Sequence, residues 1–188
     1  RIAAGTFLAA ILSTKGSGIV NGINPEHLPM ELKKLGEMGA KIDSTETSIN
    51  IEYRDNLQSI ELSTLPFPGI ATDLQPIFGS ALLLAEGTSI LTENVYDQRF
   101  QWIPEAQRMG ANIQTGWQHA MIKGVKTLSG APVHATDIRT GASLVIAALQ
   151  ADGLSTITGI DHINRGYEDI VASLTSLGST IEYNDKHG

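Results

Sequence analysis

The chain has 188 residues, enough for one good-sized domain or two small ones, and its 41% hydrophobic and 18% charged residues are ordinary for a globular protein. Its formal net charge of −7 argues against nucleic acid as the default partner, and no apolar run approaches the roughly 18 residues of a membrane span. Because cysteine is absent and the five histidines lie far apart, we expect no disulfide, no thiolate nucleophile and no metal site. The chain begins at Arg1 on an already patterned segment, so we expect it to be a piece of a longer protein.

One pattern occurs three times in chain order. Each copy predicts an apolar helix, a glycine, a short β-branched strand, a polar turn, a second helix that ends at a glycine, and a further strand. The further strands are predicted to begin at Ile42, Ile113 and Ile181. We therefore interpret residues 1–188 as a single domain of three units, at about 5–65, 66–130 and 131–188.

The two predicted helices of a unit differ in their apolar pattern. The first is apolar nearly all round, as in residues 81–85 and 144–149, so it must be buried on every side. The second is apolar on one side only, and strands such as 49–53 alternate apolar with polar residues. The sequence therefore predicts an α/β fold with three buried helices at its centre, and with sheets and amphipathic helices around them.

The starts of the three central helices carry the first functional signal. A threonine stands in the same register in each unit: Thr6, Thr72 and Thr136. The residues that follow these threonines differ: Phe7, Asp73 and Asp137. Helix capping gives a structural explanation of this pattern. A threonine caps the helix, with Gln75 completing a capping box in the second unit, and an aspartate in the first turn is favoured by the positive end of the helix. Because the charge occurs in two units of three, a site role for both aspartates stays open beside the structural one.

Several segments then resemble a known family, and they include Thr-Asp-Leu-Gln at 72–75 and Asn-Arg-Gly-Tyr-Glu at 164–168. The others are 68–71, 85–90, 104–111, 128–131 and 136–139. From Arg1 to about Tyr183 the chain resembles the C-terminal part of the UDP-N-acetylglucosamine 1-carboxyvinyltransferases, which are enolpyruvyl transferases. The resemblance implies an inside-out α/β barrel and a second domain of the same design, with the active site in the cleft between them. That partner domain, with the family's cysteine loop and its phosphoenolpyruvate-binding lysine, is not among these residues.

The resemblance also implies a reaction. The enolpyruvyl group of phosphoenolpyruvate passes to the 3-hydroxyl of UDP-N-acetylglucosamine, phosphate is released, and peptidoglycan synthesis begins. This chemistry requires a base, an acid and cations that hold carboxylate and phosphate groups. We expect no cofactor, a location in the bacterial cytoplasm, a monomeric complete enzyme, and no turnover by this chain alone.

Matching residue by residue implies catalytic roles for four side chains. Asp73 matches the aspartate proposed as the base, with helix capping as the structural alternative. Asp137 and Arg139 match a pair near the reacting carbons, with a local salt bridge as the alternative. Arg165 matches an arginine that reaches phosphoenolpyruvate when the domains close; its alternative is a solvated side chain, with Asn164 as a helix cap.

Two further residues match positions near the substrate. Val95 matches a residue whose backbone contacts the nucleotide sugar, with a core valine at a strand end as the alternative. Arg99 matches an arginine near the cleft, with a surface ion pair as the alternative. Trp102 and Trp117 are interpreted as packing residues rather than stacking platforms.

The chain departs from the family pattern at Ala3, where members often carry an acid, and at Phe67, where many have tyrosine or histidine. Two other functions therefore stay open. One is a non-catalytic repeat domain kept for binding or regulation, and the other is a paralogue with a different acceptor, such as shikimate 3-phosphate. The presence of all four matched charged residues favours the transferase.

Overall fold

The computed structural model describes residues 1–184 of the chain. In chain order the helices are α1 (Ile2–Ser13), α2 (Pro29–Glu37), α3 (Gln75–Ala81), α4 (Ile103–Arg108), α5 (Ile138–Gln150), α6 (Ile160–Asn164) and α7 (Ile170–Ser176). The strands are β1 (Ser17–Asn21), β2 (Ala40–Ser44), β3 (Ser48–Tyr53), β4 (Glu61–Ser63), β5 (Thr88–Thr92), β6 (Asn112–Gly116), β7 (His119–Lys123), β8 (Pro132–His134) and β9 (Thr156–Thr158). Short 3₁₀ turns at Pro25–His27, Thr72–Leu74 and Arg99–Trp102 precede α2, α3 and α4.

The three apolar helices α1, α3 and α5 pack against one another at the centre of the molecule. Their side chains are buried on several sides, and Leu8, Phe78 and Leu144 are fully inaccessible. Each such side chain contributes about 2–3 kcal/mol through its burial, which is why a helix without a polar face takes the central position. The predicted α/β fold with buried central helices is confirmed.

The strands form sheets outside this helical centre. The first sheet has the order β1-β3-β2 and is antiparallel throughout. The second has the order β4-β5-β7-β6, in which β4 runs parallel to β5 and the other pairs are antiparallel. In the third, β8 and β9 are parallel. Along β3, Ile49 and Ile51 are buried while Asn50 and Glu52 are exposed, as the alternating pattern predicted.

The helices α2, α4 and α7 are each followed by a glycine, as predicted, although in the third unit the short helix α6 intervenes between α5 and α7. Gly39, Gly110 and Gly178 have φ values of 110°, 96° and 94°, which a residue with a Cβ adopts only at a cost. Just before α4, Trp102 is fully buried and packs on Gly79 of α3, where a Cβ would come within 2.4 Å of the indole ring. The packing role of Trp102 is confirmed, whereas Trp117 is 99% exposed at the β6–β7 turn and its predicted packing role is wrong.

The predicted threonine caps are wrong in all three units. Thr6 lies inside α1, where its hydroxyl donates to the Ile2 carbonyl at 2.9 Å. Thr72 opens a 3₁₀ turn and makes no capping bond, and Asp137 takes the cap position expected for Thr136. A side chain caps a helix only when its own backbone is extended at the helix entrance.

Two other local predictions also fail. Asn164 is the last residue of α6, and Asp169 caps α7 by accepting from the Ala172 amide at 2.8 Å. Within the described residues, no strand begins at Ile181. In the first unit the corresponding strand β2 pairs with β3, but within residues 1–184 no strand pairs with the segment at Ile181. The last four residues of the predicted third unit lie outside the described residues.

Candidate functional site

The side chain of Asp73 stands at the centre of a charged cluster near the N-terminal ends of α3 and α5. Its Oδ1 accepts a hydrogen bond from Arg99 Nη2 at 3.0 Å, and its Oδ2 accepts one from Arg139 Nη2 at 3.1 Å. The Asp73 side chain is 36% exposed, and the two arginine side chains are 16% and 19% exposed. Asp73 therefore joins residues of the second and third units and does not cap its helix.

The turn before α3 explains why Asp73 points outward. Residues 72–74 form a 3₁₀ turn in which Leu74 is fully buried, with its side chain packed close to Gly5 of α1. The Leu74 amide donates to the Ala71 carbonyl at 2.9 Å, and Pro76 lies in the first turn of α3, where a missing N–H costs nothing. With Leu74 anchored in the core, the preceding side chain faces the solvent side.

Arg99 is oriented by three contacts. Its Nε donates to Thr72 Oγ1 at 3.1 Å, its Nη2 donates to Asp73, and its Cζ lies 4.7 Å from the centre of the Tyr96 ring. A guanidinium over an aromatic face gains a further favourable interaction. The alternative of a surface ion pair is met in part, because Arg99 pairs with the 36% exposed Asp73, although its own side chain is only 16% exposed.

Asp137 is both the cap of α5 and part of the site. Its Oδ1 accepts from the backbone N–H groups of Arg139 at 2.8 Å and Thr140 at 3.1 Å, and its Oδ2 accepts from the Thr140 hydroxyl. Burial alone would raise the pKa of Asp137, but these hydrogen bonds outweigh it and lower that pKa below its ordinary value. The Arg139 side chain pairs with Asp73, so the alternative of a local salt bridge between Asp137 and Arg139 is wrong, and the ion pair joins two units instead.

Tyr167 completes the cluster, and the sequence reasoning missed it. Its hydroxyl lies 2.8 Å from Thr6 Oγ1, and its ring packs edge-on against Phe7. Burial raises the pKa of Tyr167, while the Thr6 hydrogen bond and the charge and hydrogen bond of Arg139 oppose that rise. The signal was present in the segment 164–168, but Thr6 was interpreted as a helix cap and not as the partner of a distant tyrosine.

Two predicted site residues lie outside this cluster. Arg165 is exposed at the end of α6, and within residues 1–184 its side chain has no ion-pair or hydrogen-bond partner. Val95 is 52% exposed, so the alternative of a core valine at a strand end is wrong. The Val95 amide already donates to Glu93 Oε1 at 2.9 Å.

A cleft of about 300 Å³ adjoins the cluster. It is lined by side chains from the segment before α4 and from the start of α5: Tyr96, Gln98, Arg99, Gln101, Asp137 and Thr140. Guanidinium groups bind carboxylates and phosphates through paired hydrogen bonds, and a carboxylate accepts protons, so the arrangement suits an anionic substrate that carries a hydroxyl. Over the described part of the chain, no group of three histidine or acidic side chains is placed to hold a metal ion. No helix there is long and apolar enough to cross a membrane.

Comparison with known proteins yields one family. The model of the EPSP synthase (3-phosphoshikimate 1-carboxyvinyltransferase) family matches residues 1–174. The UDP-N-acetylglucosamine 1-carboxyvinyltransferase of Thermotoga maritima is 45% identical over 186 residues, which are 99% of this chain and 44% of that protein. The protein of the same name from Nocardia farcinica is 42% identical over 97% of this chain and 43% of its own length. The chain thus spans less than half the length of these relatives.

Solved structures agree with the family match. The enolpyruvyl transferase NikO from Streptomyces tendae superposes with a TM-score of 0.86 at 26% identity, over 96% of this chain and 43% of that one. An EPSP synthase from Acinetobacter baumannii gives 0.79 at 22% identity over 96% of this chain and 46% of its own, which supports the fold. The predicted resemblance is confirmed: the chain belongs to the EPSP synthase family of carboxyvinyl (enolpyruvyl) transferases.

Proposed function

We propose that the protein containing this chain transfers the enolpyruvyl group of phosphoenolpyruvate to the 3-hydroxyl of UDP-N-acetylglucosamine and releases phosphate. The observation that carries the proposal is the Asp73 carboxylate, held between Arg99 and Arg139 beside an open cleft. Relatives that bear the corresponding name share 41–45% of their residues with this chain over nearly its whole length. This similarity favours the sugar nucleotide over shikimate 3-phosphate as the acceptor.

Asp73 is the proposed base. Each carboxylate oxygen of Asp73 is bound by one guanidinium group. When an acceptor hydroxyl displaces one arginine, it contacts the oxygen that is released, while the other arginine still holds the second oxygen in place. In that position the carboxylate accepts the hydroxyl proton as the oxygen attacks the enolpyruvyl carbon. The displaced guanidinium is then free to bind the carboxylate or the departing phosphate of phosphoenolpyruvate.

Asp137 and Arg165 have different proposed tasks. The hydrogen bonds that lower the pKa of Asp137 suit it to act as a fixed negative charge near the reacting carbons rather than as a proton carrier at neutral pH. The exposed Arg165 is available to reach phosphoenolpyruvate when a partner domain closes over the cleft. Val95 is proposed to contact the sugar nucleotide through its backbone carbonyl, because its amide is occupied by Glu93.

The remaining parts of the reaction are proposed to come from a second domain. The acid that protonates the methylene carbon would lie on that domain's cysteine loop. This chain alone is therefore expected to fold but to show no catalytic turnover. The division into units near residues 65 and 130, a monomeric complete enzyme and a location in the bacterial cytoplasm belong to the same proposal. A non-catalytic repeat domain is the competing function, and an Asp73 pinned by two arginines favours chemistry over binding alone.

Phosphate release by the full reading frame that contains this chain tests the proposal. The protein is incubated with phosphoenolpyruvate and, in parallel, with UDP-N-acetylglucosamine, with shikimate 3-phosphate, or with no acceptor. Release that requires UDP-N-acetylglucosamine is the expected result. Release only with shikimate 3-phosphate would assign another acceptor, and no release from a folded protein with both domains would favour the non-catalytic domain.

A further inference from the structure

The residue that follows the strand after each central helix is not the same in the three units. Gly22 follows β1 and Gly159 follows β9, and both have left-handed backbones with φ values of 76° and 80°. At the same place after β5 stands Glu93, which is fully buried. Because two units make this turn with a glycine, the fold itself does not require a buried carboxylate here.

One oxygen of Glu93 builds the turn that follows it. Glu93 Oε1 accepts hydrogen bonds from the Thr64 hydroxyl at 2.7 Å and from the backbone amides of Val95 at 2.9 Å and Tyr96 at 3.0 Å. Thr64, also buried, accepts from the Asn94 amide at 2.9 Å through its hydroxyl and binds the Asn94 side chain at 3.1 Å through its carbonyl. Residues 93–96 are therefore held by hydrogen bonds to the buried Glu93 and Thr64, and a backbone hydrogen bond from the Arg99 amide to the Tyr96 carbonyl at 3.0 Å continues the turn.

A buried carboxylate carries an energetic cost that this turn must repay. The second oxygen, Oε2, is buried and, within the described residues, has no hydrogen-bond partner. Burying a polar oxygen without a partner opposes folding, so the three hydrogen bonds to Oε1 have to offset that cost. What Glu93 provides is a fixed course for residues 94–99.

That segment leads directly to the charged cluster. Tyr96, whose amide is bound by Glu93, lies under the Arg99 guanidinium at 4.7 Å. Arg99 in turn donates to Asp73 at 3.0 Å, and Tyr96, Gln98 and Arg99 line the cleft. A shift of the turn therefore moves the guanidinium that holds one oxygen of the proposed base.

We propose that Glu93 is a positioning residue, which fixes residues 94–99 so that Tyr96 and Arg99 form the wall of the acceptor site. The assignment of this wall to the acceptor rests on the proposed function. Glu93 acts through the hydrogen bonds of Oε1 and touches no reacting atom. It is the element that distinguishes the second unit, which holds the cleft-lining arginine, from the other two.

The test uses the full-length protein and three variants. Glu93→Ala removes the three hydrogen bonds to Oε1, Glu93→Gln keeps an oxygen that accepts them, and Ser89→Ala is the matched control. Ser89 is buried on β5, the strand that Glu93 follows, and it also accepts a backbone hydrogen bond, from the Ile60 amide at 3.1 Å. It lies farther along the chain from the cleft-lining segment. The readouts are kcat and KM for UDP-N-acetylglucosamine, and hydrogen exchange of residues 94–99 followed by mass spectrometry.

Glu93→Ala is expected to raise the KM for UDP-N-acetylglucosamine at least tenfold and to speed exchange in 94–99. Glu93→Gln is expected to stay within about threefold of the parent protein in both readouts, and Ser89→Ala to leave both unchanged. An unchanged KM in Glu93→Ala, or a Gln variant as impaired as the Ala variant, would overturn the proposal. If Glu93→Ala does not fold, Thr64→Val removes the hydroxyl that binds both Glu93 and Asn94, and Thr64→Ser restores it.

Failure of the proposed function gives a different result. If the parent protein releases no phosphate with either acceptor, the reaction is wrong, but hydrogen exchange still tests the role of Glu93. Faster exchange confined to 94–99 in Glu93→Ala, with protection restored in Glu93→Gln, would support positioning of the cleft wall. Unchanged protection of that segment would overturn it.

Discussion

The N-terminal ends of α3 and α5 carry the same Thr-Asp pair and use it differently. Asp137 has an extended backbone, with φ −156° and ψ 173°, so its carboxylate turns toward the first amides of its own helix. Asp73 lies within a 3₁₀ turn, and its carboxylate projects away from α3 to Arg99 and Arg139. The same two residues therefore give a cap in one unit and a bridge between units in the other, and the backbone at the helix entrance decides which.

Asp73→Asn removes the charge of the aspartate that bridges two units, and it should have the largest effect on activity of the variants compared. Loss of the proposed base is expected to lower kcat by about 100-fold or more, since general base catalysis contributes about 10²–10⁴-fold. Stability should change by less than about 1 kcal/mol, because the carboxylate is partly exposed and its ion pairs are screened. Steady-state kinetics and thermal melting of the full-length protein measure the two effects.

Asp43→Asn is the matched control for that variant. Asp43 pairs with Lys41 at 3.3 Å on the surface of the first unit, so its replacement removes an ion-paired acid without touching the cluster. If Asp73→Asn has a much lower melting temperature but keeps its activity per folded molecule, Asp73 has a structural role, as Asp137 does in capping α5, and is not the base.

The variants Asp137→Ala and Asp137→Asn separate the helix-capping role of Asp137 from its proposed role as a fixed negative charge. Alanine should cost about 1 kcal/mol in the free energy of unfolding, whereas asparagine retains a cap and should cost less. Because the pKa of Asp137 is lowered on folding, its charge stabilises the protein at neutral pH, and this contribution disappears as the pH falls below about 4. Denaturant unfolding at about pH 7 and about pH 3 measures it.

The activity of the same variants shows whether the charge matters beyond the cap. Asn24→Ala, which removes the cap of the 3₁₀ turn before α2, is the control for loss of a cap elsewhere. Asp137→Asn with a full cap but reduced kcat would support the fixed-charge role, and unchanged kcat would leave Asp137 as a cap alone.

Tyr167→Phe should have a smaller effect on the link between the first and third units. Removing the hydroxyl leaves the Thr6 and Arg139 side chains without one partner, which is expected to cost about 1 kcal/mol and to lower kcat/KM several-fold. Chemical denaturation and initial rates measure this. Tyr183→Phe is the control, since its exposed hydroxyl makes a long contact of 3.5 Å to Asn164; equal losses in both variants would remove Tyr167 from the site.

Glu31→Gln should give the smallest effect, and it extends the comparison to a carboxylate without a strong partner. Glu31 is fully buried on α2, with Arg1 Nη1 3.8 Å away. Burial raises the pKa of Glu31, and backbone hydrogen bonds and the charge of Arg1 oppose that rise only in part. An acid whose pKa is raised on folding stabilises the protein at low pH and loses that contribution as the pH rises.

The glutamine variant should therefore melt higher than the parent near pH 7 and similarly near pH 4. Glu37→Gln, at an exposed position on the same helix, controls for removal of a charge. A glutamine variant that melts lower at neutral pH would show that the Arg1 ion pair outweighs the cost of burial.

The sequence was sufficient for the fold because its signals are local. Apolar residues on every side of a helix require burial, and Gly39, Gly110 and Gly178 end helices through a left-handed backbone. The capping assignments were wrong because the identity of a cap depends on one pair of backbone dihedral angles. A one-residue shift moved the cap from Thr136 to Asp137.

The contacts of the candidate site were harder to predict. The charged residues were named from a resemblance, but the pairing of Arg139 with Asp73 arises from the packing of α3 against α5. The exposure of Val95 follows from a turn built by Glu93, and the Thr6–Tyr167 contact joins residues at opposite ends of the chain. Such long-range pairs have no periodic signature.

The sharing of one carboxylate by two guanidinium groups has a consequence for the approach of substrates. Arg99 and Arg139 carry two positive charges, and Asp73 and Asp137 carry two negative ones, so the cluster is close to neutral in a chain whose net charge is −7. The acidic remainder repels anions over about a Debye length, roughly 8 Å at physiological ionic strength. Encounter of this chain with an anionic molecule is therefore opposed by its net charge and speeds up as salt is added.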